Sequence, residues 1–164
     1  FDWQVAFHPY PENLFDPRFW QDTSAADDFE TPRITFRNID VLTRYLQQPA
    51  LQIRGNTRRV ILSEQGFHTP DGPDGEQVQA AAYCLAWKTV NRVNGIDAFI
   101  LHRHVDHRDE GGLRLGLWTR QPDSAATHAR KKQIYNCFRD ADTDRWRATF
   151  EFALPIIGMD DWDE

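Results

Sequence analysis

Apolar and polar positions alternate in two different periods along this chain, and the changes of period mark its elements. Val60-Ile61-Leu62 is a short apolar run that ends in Ser63-Glu64-Gln65-Gly66. A run of this length, bounded by turn residues, predicts a strand over Arg59–Gly66, buried on both faces as in a parallel sheet. Asp97–His102 has the same form. Trp3–Pro11 reads as a strand that breaks near His8, because Pro9 and Pro11 cannot continue a ladder. Leu113–Trp118 alternates apolar with small or polar residues, as a half-exposed strand does.

The helical period appears elsewhere. Ile39, Leu42, Tyr45 and Leu46 share one face of a helix over 39–48, with Asn38 as its cap and Pro49 as its stop. A second helix, over 76–93, carries Val78, Ala81, Ala82, Leu85 and Val90, with Gly95 at its end. Residues 125–139 and 144–158 read as two closing helices, the second containing Pro155. Between these elements lie a long loop over 11–33 and a dense turn signal over Thr69–Gly75. Phe15, Phe19, Trp20 and Phe29 predict that the long loop packs on the body of the domain. Strands alternating with helices imply βα units and a parallel sheet.

Composition narrows this picture a little. The chain has 164 residues, 40% of them hydrophobic, enough for one domain with a real core. The net charge is -6 with both signs interspersed, and no basic stripe is visible, which argues against nucleic acid as the main partner. No stretch of eighteen apolar residues occurs, so no membrane span is expected. The opening Phe1-Asp2-Trp3-Gln4 is neither a start methionine nor a signal peptide, and reads as a mature product or a piece of a longer protein. Cys84 and Cys137 fall in helix-like stretches and read as small core residues. The six tryptophans and eleven phenylalanines fit either a core or a cleft that stacks on sugar rings.

Chemically capable residues gather at the strand ends: His8 and Tyr10 after the first, Glu64 in the second, then His102, His104, Asp106 and His107. In a βα array these ends converge on one face, where such folds place their chemistry.

The segments that carry these residues resemble the (β/α)8-barrel glycoside hydrolases of clan A. His8-Pro9-Tyr10 is similar to the clan's His-X-Tyr strand end, and Glu64 to the nucleophilic glutamate that ends its seventh strand. Residues 6–13, 62–66 and 101–107 are more closely similar to a bacterial family of uncharacterised members regarded as glycosidase-like. The resemblance implies an α/β fold forming the C-terminal portion of a (β/α)8 TIM-type barrel, about three βα units long. It implies a carbohydrate substrate and no cofactor. Glu64 becomes the nucleophile of O-glycoside hydrolysis, and His8, Tyr10, Glu12, His102, His104, Asp106 and Trp118 become substrate-binding residues. The acid/base then comes from outside this chain, from the N-terminal half of the barrel or another copy, since the clan's Asn-Glu pair does not occur here.

Two alternatives remain open at this level. His102-Arg103-His104-Val105-Asp106-His107 also resembles the H-x-H-x-D-H signature of metallo-β-lactamase-fold hydrolases, in which His102, His104, Asp106 and His107 would hold zinc and activate water. The other is a glycan-binding module without catalysis. Glu12, Asp106 and Glu110 are local substitutes for the second carboxylate, each reading more readily as structural or loop-surface, and His68 and His128 read as surface histidines.

Overall fold

A computed structural model describes residues 3–163. Strand β1 spans Val5–Phe7, helix α1 Ile39–Leu46, strand β2 Val60–Gln65, helix α2 Gly75–Arg92 and strand β3 Ile96–Leu101. These are the expected strands and helices, with ends that differ by a few residues, but the strands are not buried on both faces as expected: Ile61 of β2 is half-buried, and β3 has no fully buried residue, with Ile100 exposed. β1, β2 and β3 form a parallel sheet in that order, with Phe7 beside Leu62 and Leu62 beside Phe99.

The second half of the chain departs from the βα pattern. Strand β4, Trp118–Arg120, pairs antiparallel with β5, His128–Lys131, in a separate two-stranded sheet. The expected helix over 125–139 is therefore a strand followed by α3, Gln133–Asp140. The expected helix over 144–158 is broken into α4, Trp146–Phe150, a 3-10 turn over Glu151–Ala153, and α5, Leu154–Ile157. Pro155 sits in the first turn of α5, where its missing N–H costs nothing.

The expectation of a partial (β/α)8 barrel is overturned by this arrangement. The molecule is a small mixed α/β domain, and no closed barrel is present among the described residues. Alternation of strands and helices stops after β3. The next strand turns back on itself through residues 121–127 instead of crossing over a helix to extend the sheet.

One core holds the domain together. Phe19 from the long loop, Phe36 from the turn before α1, and Phe67 after β2 are all buried, with ring centroids 5.5 Å apart for Phe19–Phe36 and for Phe36–Phe67. Each such ring contributes roughly 1.5–3 kcal/mol by leaving water. This is why the long loop lies on the body, as its aromatic residues predicted. Ala80, Ala81, Ala82, Cys84 and Ala86 make the buried face of α2, and Cys137 joins them from α3. Asn38 precedes α1 but makes no side-chain cap bond to it. Its amide instead bonds the Thr35 amide and the Ala26 and Arg33 carbonyls, which pins the long loop to the start of α1. No described helix is long and apolar enough to cross a membrane.

Candidate functional site at the strand ends

The end of β2 is irregular, and that irregularity positions Glu64. Leu62 pairs with Phe99 and Gln65 with Leu101, so β2 advances three residues while β3 advances two. One extra residue in one strand is a β-bulge, a feature that re-aims side chains and is frequent beside active sites. Strict alternation from the buried Val60 and Leu62 would bury residue 64. With the bulge, Gln65 is buried instead and Glu64 turns toward the half-exposed strand ends. The Gln65 amide donates to the carbonyls of Leu62 and Ile100, which ties the bulge to β3. Gly66 follows, and a Cβ there would collide with the His102 carbonyl oxygen. Glycine thus lets the end of β2 lie directly against the end of β3, where the His102 amide donates to the Gln65 carbonyl at 2.7 Å.

The parallel register brings the β1 residues to the same place. The Tyr10 hydroxyl donates to Glu64 Oε1 at 3.0 Å, and the His8 ring bonds the Ser63 hydroxyl at 3.0 Å. Burial pushes the Tyr10 phenol well above its usual range, and the Glu64 and Glu110 carboxylates add to the effect. Tyr10 therefore stays protonated and remains a donor to Glu64. Among the described residues no hydrogen bond reaches Glu64 Oε2, so one carboxylate oxygen is held and the other is open.

Glu110, whose sequence position reads more readily as loop-surface than as a site carboxylate, joins this cluster. It lies in the loop after β3, where His102 Nε2 bonds its Oε1 at 3.0 Å and the Arg103 guanidinium pairs with its Oε2. Partial burial raises its proton affinity. The His102 and Arg103 bonds and the Arg103 charge outweigh this and hold the carboxyl below the usual range. Only the Gly111-Gly112 pair that folds this loop back hinted at its return, and nothing in the sequence indicated which strand end it would meet.

The other expected site residues go elsewhere. Glu12 accepts from the Thr23 and Ser24 amides and hydroxyls, and these bonds lower its pKa to about 2; it closes the long loop. His104 is exposed and packs on Trp118, which is half-buried between His128 and Tyr135. His107 accepts from the Asp109 amide. Asp106 points inward: its Oδ1 accepts from Lys132 Nζ and from the Gly116 amide, each at 2.8 Å. A Cβ on Gly116 would strike the Asp106 amide nitrogen, so the turn that satisfies Asp106 needs glycine. His102, His104, Asp106 and His107 thus have four separate sets of partners. Among the described residues no three His, Cys, Asp or Glu side chains form a group able to hold a metal ion.

His68 is also not a surface residue. It is buried, accepts from the Arg114 amide, and is disfavoured as a cation by burial and by Arg114 and Lys132. Lys132 itself is nearly inaccessible and bonds Thr69 as well as Asp106. Gln79 completes this network by bonding Thr69 and the Phe67 carbonyl. A cavity of about 590 Å³ lies beside it, lined by Glu76, Arg114 and Arg130 among others. Its cations are already occupied: Arg130 by Glu76, Arg114 by Asp71 and Lys132 by Asp106.

No curated protein matches the chain, and no solved structure does. A family model matches it over residues 1–164, and the chain accordingly belongs to the family of unknown function DUF5722.

Proposed function

We propose that this chain acts in glycoside hydrolysis, cleaving an O-glycosyl bond of an oligo- or polysaccharide with Glu64 as the nucleophile and retention at the anomeric carbon. The observation that carries the reading is the Tyr10–Glu64 bond across the ends of β1 and β2. A nucleophilic carboxylate needs one oxygen fixed and the other free to meet the anomeric carbon, and Glu64 has that form. The resemblance of His8-Pro9-Tyr10 and of Glu64 to clan A motifs supports the same assignment. His8 and Ser63, bonded to each other at the rim, are groups that bind sugar hydroxyls.

Retaining enzymes pass through a glycosyl ester on the nucleophile. A panel of dinitrophenyl 2-deoxy-2-fluoroglycosides is the probe, since the fluorine slows breakdown of that ester. Mass spectrometry of the labelled protein is expected to place the sugar on the peptide containing Glu64. Glu64→Gln is expected to abolish labelling and to lower hydrolysis of the matching aryl glycoside by about a thousandfold, roughly 4 kcal/mol of transition-state stabilisation. Labelling elsewhere, or a Glu64→Gln protein as active as the parent, refutes the assignment. Polysaccharide retention without cleavage or labelling would make the chain a binding module instead.

A further inference from the structure

The nucleophile needs a proton donor for the leaving group, and the described carboxylates near it are poorly suited. Glu110 is held ionised by His102 and Arg103. Glu12 is closed into the long loop and Asp106 into the core. From the geometry we infer that His102 is the acid/base of this site and that Glu110 is its positioning residue. The inference rests on the reading of Glu64 as a glycosidase nucleophile.

Three observations support it. His102 directly follows β3, and its backbone lies against Gly66 and Gln65, the residues just after Glu64. Its ring is partly exposed, at 29%, so it is open to substrate on one side. On the other side Nε2 bonds Glu110, which fixes the ring and leaves Nδ1 for the substrate. A histidine held by a carboxylate is a common way to orient a proton-transfer group. Glu110 meets this ring from its own loop and Arg103 pairs with Glu110, while the Glu110 charge is also felt by Tyr10, whose hydroxyl is bonded to Glu64. Arg103 binds the far oxygen of Glu110, so the carboxylate is clamped from both ends.

Glu64 forms a bond to the anomeric carbon while the glycosidic C–O bond breaks, and the leaving oxygen takes the proton from His102 Nδ1. Water then attacks the anomeric carbon, gives its proton back to Nδ1, and the ester bond breaks to restore the Glu64 carboxylate. Nε2 stays paired with Glu110 throughout.

The test varies the leaving group on the full chain, using the glycoside that labels Glu64. Dinitrophenolate departs without protonation, whereas unsubstituted phenolate or a sugar alkoxide requires it. His102→Asn is expected to lower kcat/KM on the phenyl glycoside by 10²–10⁴-fold, the usual range for general acid catalysis, and on the dinitrophenyl glycoside by less than about tenfold. Glu110→Gln is expected to show the same split in weaker form, and it carries the test if His102→Asn does not fold. Equal losses on both substrates in a folded variant overturn the inference while leaving Glu64 as nucleophile. A parent protein that cleaves neither substrate, or a fully active Glu64→Gln variant, removes the underlying reading and the inference with it.

Discussion

Two charged clusters of this domain use the same kinds of residue to opposite ends. At the strand ends, Tyr10, Glu64, His102, Arg103 and Glu110 are half-exposed and leave open groups, among them Glu64 Oε2. Away from the strand ends, Asp106 from the loop after β3, Thr69 from the loop after β2, Gln79 from α2 and Lys132 from the start of α3 are buried and closed on one another. The buried cluster is an internal ion pair with its hydrogen bonds made, and it fixes where the β4–β5 sheet meets the body. The difference teaches that a charged motif is read by where its side chains end. Asp106 and His102 lie four residues apart in one motif, and one points into the core while the other points to the rim.

The contrast breaks most sharply in the core. Lys132→Met leaves the Asp106 carboxylate buried without its cation, and removing one partner of a buried pair typically costs about 3–5 kcal/mol. Denaturant unfolding is expected to show that loss, with turnover per folded molecule unchanged. An unchanged midpoint would mean that water reaches the pair. Gly66→Ala is expected to cost roughly 1–3 kcal/mol, as overpacking does, because the new methyl meets the His102 carbonyl. It should also lower activity by displacing Glu64 from His102, so both readouts move together. Tyr10→Phe separates function from stability in the other direction. It is expected to lower kcat about tenfold, near 1.4 kcal/mol, with a melting temperature close to the parent's.

The smallest effect is the pH response of the long loop. Glu12 has its folded pKa lowered to about 2, chiefly by the Ser24 hydroxyl and amide. Its contribution is therefore present above its ordinary pKa of about 4.3 and is lost as pH falls through the folded value. Glu12→Gln is expected to melt below the parent at pH 6 and to converge with it near pH 2. A gap that persists at low pH would point to lost packing instead.

Much of the fold was legible because its period is set by burial. Val60 and Leu62 of the β2 run, Ile39 and Leu46 of the α1 face, and Val78, Ala81 and Ala82 of α2 are buried as their spacing indicated, whereas Tyr45 is exposed and Ile61, Leu42, Leu85 and Val90 are half-buried. The hairpin of β4 and β5 was not legible. All four residues of β5 are exposed, so no burial pattern marks it, and its basic run into α3 reads as continuous helix. The barrel expectation failed at that hairpin. Within the site, Tyr10 and Glu64 were marked by their strand ends, and the structure brings them into contact. The bulge that frees Glu64 depends on the pairing of β2 with β3, a property of two strands that neither run displays alone. Glu110 and Lys132 each meet their partners through the return of a loop, which local periodicity does not encode.

The three-stranded parallel sheet has one more consequence, for amide exchange. β2 is hydrogen-bonded on both sides, whereas β1 and β3 are each bonded on one side only among the described residues. Alternate amides of the outer strands face away from the sheet. In deuterated water those amides should exchange early while Val60–Leu62 hold their protons, so the segment carrying the nucleophile is anchored to the slowest-opening strand of the domain.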